Sequence, residues 1–458
     1  MFQYKPLAAA ILTLASIQAV ADDSRSTQIQ GGIQNVAEVL QSTAPDSIAG
    51  QDQTGEGNDA YANQDGGTGT ITQTQDGNFN ASMGLQLMET GSQVIHNQTG
   101  ELNGAHSEQY VNQTTQAEVI QNGSGNFGFT YQDSQVTSSV TINQADQDNV
   151  ANAEQIVGTG NLAEITQGGT GNEANTWQVD QLGSRIGIEQ SGQFNTTSVD
   201  QTLGSDNQVD VLQGGDSSYT EVWQTEQENS QVTVDQNGLL NELVVDQSYG
   251  SLNQTSVTQV GDTNAAWVDQ YETSTSVSAI NQNGNSNLSL SYQEGTNLSL
   301  TVNQTGDGNN VYASNWQGPQ EGGQFGNDQT VVLGQNGNGN TANFTQTGNF
   351  NELYFEQSGD GNSLMISQRD SGNLAEGSSE GTQNIVEIDQ SGSANLIQTY
   401  QSAGGENLVS ITQTDMTNLA VVNQTGWSNQ ATVNQSNFGM SATIDQSGTG
   451  NRATVTQQ

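Results

Sequence analysis

Hydrophobic and polar residues alternate with a period of two in runs of seven, and the runs recur along the chain. In Asn384 to Gln390 (NIVEIDQ), Asn384, Val386, Ile388 and Gln390 share one face of an extended strand. Ile385, Glu387 and Asp389 share the other. The same offsets give Ser138, Val140, Ile142 and Gln144 in one run, and Asn149, Ala151, Ala153 and Gln155 in the next. Each run therefore predicts a β-strand whose inward face reads polar, apolar, apolar, polar. Charged residues fall mostly on the outward face, often just before the closing glutamine, as at Asp200, Asp235, Asp246, Asp269, Asp389 and Asp445.

The unit is clearest from Asn340 to Gln368. Asn340, Asn351 and Asn362 open runs that close on Gln346, Gln357 and Gln368, with a four-residue Gly-bearing turn between them: N-x5-Q-x-G-x-x. From Gln86 to Gln293 the closing glutamines step by 12 and 11 in alternation, nine periods of 23 residues. From Gln335 to Gln457 the steps are 11, with one 12. Of 38 closing positions only Ser379 is not Gln, so the register governs nearly the whole chain and predicts nineteen strand–turn–strand pairs. It slips once, between Gln317 and Gln335, where GPQEGGQFGN predicts an irregular loop near 318–328. Pro45 and Pro319 both fall in predicted connections, where no ladder N–H is needed.

First strands of the pairs carry bulk inside (Ile186/Ile188, Val209/Val211, Val232/Val234), and second strands are often small (Ala105/Ser107, Gly128/Thr130, Ala151/Ala153). Large facing small suits two sheets packed about 10 Å apart. Inward Asn, Gln and Ser are costly to bury alone, so they are expected to pair with their own copies along the stack. The fold class is all-β: a β-solenoid of about 19 repeats with cross-β stacking.

Composition sharpens this picture. With 31% hydrophobic residues, 54 Gly and no Cys, the chain cannot build several conventional cores, and only the repeat argues against disorder. Its 49 acidic and five basic residues, net charge −44, exclude nucleic acid and anionic lipid as electrostatic partners. Residues 1–21 read as a signal peptide, with Lys5, an apolar stretch to Val20, and Ala19-Val20-Ala21 at the cleavage site. The exported chain would be 22–458, with no other stretch suited to a membrane-spanning helix.

Catalytic chemistry finds no constellation. The two histidines, His96 facing in and His106 facing out, make a weak zinc site. Carboxylates form an outward stripe rather than converging, and the loop contributes only Glu321 and Asp328. The GNGN around Gly337 and the GTGN around Gly158 lack the following helix of a phosphate loop. No enzyme, cofactor or metal is expected. Outward Trp177, Trp223, Trp267, Phe127, Phe129 and Tyr131 offer a surface for glycans, the basis of an alternative reading as a monomeric glycan- or ice-binding module.

The pattern S-x5-Q-x-G-x-x-N-x5-Q, complete from Ser92 to Gln109 with Gly100 in its turn, resembles the curlin repeat of bacterial curli, the amyloid fibres of biofilms. The chain's end repeats it through Gln446, Gly448, Gly450, Asn451 and Gln457. The resemblance implies a β-solenoid subunit exported through a dedicated outer-membrane pore, assisted by a nucleator and a chaperone, and polymerising with itself at the cell surface. It assigns the stacking role to Ser92, Gln98, Asn103, Gln109 and their equivalents Asn340, Gln346, Asn351, Gln357, Asn362, Gln368, Asn451 and Gln457. The chain departs from familiar curlins in its many more repeats, its acidity, and an Asp22–Asp23 start without a long Gly-rich segment.

Overall fold

Why seven-residue alternating runs become strands is visible in their pairing. Each run lies parallel and in register with its equivalent one rung on, as in Val140↔Ala163↔Ile186↔Val209. Side chains at one offset therefore stack in columns, inward or outward, for the length of the molecule. The computed structural model describes residues 23–314 and 322–458, in which all 39 regular elements are β-strands. They form a solenoid of nineteen rungs, each rung two strands joined by an arch. At ~4.8 Å per rung this is a rod roughly 90 Å long. The segment 1–21, read from the sequence as a signal peptide, and Pro319 lie outside the described residues.

The first sheet has 19 strands, from Arg25–Ile33 to Ser441–Thr449. The second carries one strand more because a rung is split. Asn310–Ala313 and Gly323–Asn327 both pair with Leu288–Thr296 on one side and Thr341–Asn349 on the other. This corrects the sequence register. The closing glutamine of that rung is Gln324, which sits between Gln293 and Gln346, and not Gln317. Nine residues beyond the usual 22 are inserted within a strand after Ala313, not at a connection, and 323–327 are strand rather than loop. Counting forward from Gln304 cannot detect an insertion inside a run; only the neighbouring rungs show where pairing resumes.

The core is one continuous apolar column pair from Ala105 to Ile444, with a smaller cluster of Ala49, Ala62, Ile71, Val94 and Ala117 before it. Large does face small in the early rungs. A Cβ on Gly84 would lie 2.9 Å from Ile71 Cγ2, and one on Gly128 would lie 2.7 Å from Val119 Cγ1. In later rungs both sheets can carry bulk, as at Leu353/Phe355 and Leu364/Ile366, while other inward pairs stay small, as at Ser289/Ser291. Volume is then balanced along the axis instead. Gly377 follows Phe355 in its column, and a Cβ there would meet Phe355 Cε2 at 3.0 Å.

The turn glycine is fixed by conformation and by room. Gly348 has φ +108°, and a Cβ on it would fall 2.0 Å from the Asp370 carbonyl oxygen of the next rung. Gly348→Ala is therefore expected to destabilise its rungs by at least ~2 kcal/mol. Gly334→Ala, on an outward position whose nearest neighbour is Glu356 Cγ at 3.5 Å, should stay within ~0.5 kcal/mol of the parent. Amide hydrogen exchange across residues 320–370 would separate the two.

Candidate functional site: the axial amide ladders

The inward glutamine that ends each strand has its backbone pinned by the sheet, so its side chain has one place to go. It reaches along the rod axis. In the second sheet an unbroken chain of amide bonds, each Nε2 to the next Oε1 at 2.8–3.1 Å, runs from Gln41 through Gln109, Gln346 and Gln368 to Gln457. In the first sheet an equivalent ladder runs from Gln30 through Gln98 to Gln357. At Ser379 a hydroxyl replaces the amide and donates to Gln401 Oε1 at 2.8 Å, and the ladder resumes. All these bonds point the same way. The donor belongs to the earlier rung and the acceptor to the later one, so the rod has a chemical polarity.

The second amide proton is spent on main chain across the arch. Gln98 Nε2 donates to Ala81 O at 2.9 Å and Gln346 Nε2 to Thr330 O at 3.2 Å. The opening residues make a second kind of ladder, side chain to backbone. The Asn103 N–H donates to Asn80 Oδ1, the Asn340 N–H to Asn309 Oδ1, and the Asn362 N–H to Asn340 Oδ1, each at 3.0 Å. Asn351 accepts from the Asn373 N–H at 3.1 Å. Ser92 Oγ accepts from the N–H and hydroxyl of Thr115 at 3.3 and 3.1 Å. Asn451 and Gln457 stand in the last rung. Their bonds to Asn429 (3.1 Å) and Gln435 (2.8 Å) are present, but Asn451 is exposed and Gln457 half-buried.

Two features escaped the sequence reading. The first is a two-rung super-repeat. First-strand openers alternate Ser138, Asn161, Ser184, Asn207, Ser230, Asn253, Ser276, and in step with them the preceding corner alternates Gln135, Gly158, Gln181, Gly204, Gln227, Gly250. Hydrogen bonding orients the Gln135 amide so that its oxygen meets the N–H groups of Ile156, Val157 and Gly158 at 3.2, 3.0 and 3.2 Å while its nitrogen donates to Ser138 Oγ at 2.8 Å. Val157 is left-handed (φ 53°), which turns three amides inward and makes an acceptor necessary. A Cβ on Gly158 would lie 2.3 Å from Asn161 Nδ2 and 2.4 Å from the Gln181 carbonyl oxygen, so this corner has no room for a side chain between the rungs that carry Gln135 and Gln181. The signal was a 46-residue period, hidden by scoring Ser and Asn as equivalent.

The second is a polar core in the earliest rungs. At the fifth position of the run, where later rungs place Val or Ile, stand Gln28, Gln51 and Gln73, bonded in series at 2.9 and 2.8 Å. His96 follows in that column, fully buried, with Ser82 Oγ 2.8 Å from Nδ1 and Ser107 Oγ 2.7 Å from Nε2. Burial, with a smaller contribution from His106, holds its pKa down to about 3. His106 lies on the outer surface, 2.9 Å from Glu108 and edge-on to Phe129. The two histidines thus do not converge. Among the described residues no group of three His, Asp or Glu is placed to hold a metal.

Gln346→Leu would leave a donor on Gln324 and an acceptor on Gln368 unpaired in a buried column. A loss of ~2–4 kcal/mol is expected, measured by local hydrogen exchange. For His96 the unfolded imidazole titrates near 6.5 and the folded one near 3. Its contribution is therefore complete above pH 6.5 and is lost as pH falls toward 3. His96→Gln, which continues the Gln73 ladder, should remove that loss. The stability difference between variant and parent should grow by ~3 kcal/mol from pH 7 to pH 4 in the variant's favour.

Compared with known proteins, residues 337–369 match a family model described as the curlin associated repeat. No curated protein matches the chain. The matched segment contains Asn340, Gln346, Asn351, Gln357, Asn362 and Gln368, so the family repeat and the ladder geometry coincide on the same residues.

Proposed function

We propose that this chain is a structural subunit of extracellular, curli-like fibres that grow by self-addition and serve adhesion and biofilm matrix. The observation that carries the reading is the polarity of the ladders. Each closing glutamine donates to the following rung and accepts from the preceding one, while the opening asparagine N–H donates the opposite way, so a rung supplied by another copy can be received like an internal one. Head-to-tail addition of this kind is heterologous and does not close. The outermost described rungs present the required groups. Gln28, Gln30 and Gln41 face outward along the axis at one end; Ala453, Val455 and Gln457 are only partly covered at the other. In the cell the polymer would form after export through a curli-type outer-membrane pore, with nucleator and chaperone as partners. The carboxylate stripes on both outer faces would oppose lateral bundling and slow encounter of two copies, both screened by salt.

The test is the chain comprising residues 22–458, released from denaturant into buffer. Filaments with reflections near ~4.8 and ~10 Å are expected, and raising salt from ~10 to ~150 mM should shorten the lag. Val455→Asp, which places a charge on the terminal stacking surface while leaving eighteen rungs intact, should slow elongation at least ~10-fold. A folded chain that stays monodisperse, or a Val455→Asp chain that elongates like the parent, would refute the reading.

A further inference from the structure

The two outer faces of the rod are not alike, and the second sheet's face holds a cleft unexplained by stacking. On this face the columns can be written out from the register. One reads Trp223, Asp246, Asp269, Tyr292 on successive rungs. Beside it run Val244, Trp267 and Leu290, and on the other side Ser248, Tyr271 and Glu294. Leu290 and Tyr292 point away from the solenoid interior, yet they are only 4% and 7% exposed. Trp223, Trp267, Tyr249, Tyr271 and Tyr292 wall a cleft of about 510 Å³ around the two aspartates. This size is that of a small-molecule site.

The electrostatics are unbalanced. Asp246 and Asp269 are register neighbours one rung apart, so their carboxylates sit side by side. Asp246 accepts from Ser248 Oγ, and the ion pairs among the described residues all lie elsewhere. Burial, then repulsion from Asp246, pushes the Asp269 carboxyl up to about 7. Asp246 is raised by burial too. The other titratable groups facing them are also acids or phenols: Tyr249, Tyr271, Tyr292 and Glu294. A positive charge between the aspartates would remove the penalty on both.

We propose that this cleft binds an organic cation, an alkylated ammonium group held between Asp246 and Asp269 and against the faces of Trp223, Trp267 and Tyr271. Aromatic walls select for such a group, because ring faces attract a weakly hydrated cation and repel none of its methyl groups. A bare divalent ion needs six or more oxygen ligands, which two aspartates and aromatic rings do not supply. A neutral sugar would stack on the tryptophans but leave the aspartate pair without a counter-charge. The site lies within one chain and does not depend on polymerisation.

The experiment uses the intact chain, monomeric at low salt and separately in whatever assembled form it takes, with choline chloride as probe. Tryptophan fluorescence and calorimetry follow binding. The matched neutral probe is 3,3-dimethyl-1-butanol, and sodium chloride controls for ionic strength. Saturable choline binding is expected, tightening about 5- to 10-fold from pH 6 to pH 8 as Asp269 ionises. Asp269→Asn and Trp267→Ala should each weaken it at least ~10-fold, whereas Asp200→Asn, in the same column outside the cleft, should not. Circular dichroism of each variant establishes that it folds. Equal affinity for the neutral probe, indifference to Asp269→Asn, or binding of cello-oligosaccharides in place of choline would overturn the proposal.

Discussion

The structure depends on one constraint: each position must meet the equivalent position one rung away. Parallel in-register pairing places each residue against its own equivalent, which is ruinous for a buried charge and favourable for an amide. An amide carries donor and acceptor on one group, so Gln on Gln satisfies both partners without a third. This explains why inward polar positions are Gln, Asn, Ser or Thr almost throughout, and why, among the described residues, every carboxylate except the buried Glu89 lies at least partly exposed on turns and outer faces. It also explains how a chain so poor in apolar residues can be ordered. Buried polar columns are costly only where they are incomplete, and the glutamine columns are complete except between Gln357 and Ser379.

The same constraint gives the exceptions their meaning. Ser379 breaks the first-sheet ladder, and its hydroxyl restores the connection with a donor of its own. The inserted segment after Ala313 interrupts a strand but not the column, since Gln324 returns to the place an unbroken run would have filled. The polar core at Gln28, Gln51, Gln73 and His96 is a third ladder laid where the later rungs use Val and Ile. It exchanges apolar burial for hydrogen bonds in the earliest described rungs. A rod assembled from such columns is quasi-one-dimensional: each rung sees only its neighbours, so local losses stay local.

Outward positions escape this rule, and there the sequence is free to vary. Most outward columns mix small polar, acidic and β-branched residues. On the second sheet's face, between Trp223 and Tyr292, freedom has produced an arrangement that the stack does not require, with aspartates in adjacent rungs and rings around them. Structural repetition and surface individuality thus occupy opposite faces of the same strands, the first set by the period-two pleat and the second released by it.

The sequence alone determined the fold class, the number of rungs, which face of each strand turns inward, and, outside the rung of Gln324, which closing glutamines stack. All of these follow from period two within a run and a 22- or 23-residue period between runs, because a parallel stack maps sequence period directly onto space. Tertiary structure decided what that mapping cannot express. The closing role of Gln324 became visible only through its neighbours Gln293 and Gln346. The alternation of Gln135 with Gly158 required the depth of a corner shared by two rungs. The cleft around Asp269 depends on three adjacent columns and on burial of Tyr292, properties of a surface rather than of a period. Repetition is legible in one dimension; contact between unlike columns is not.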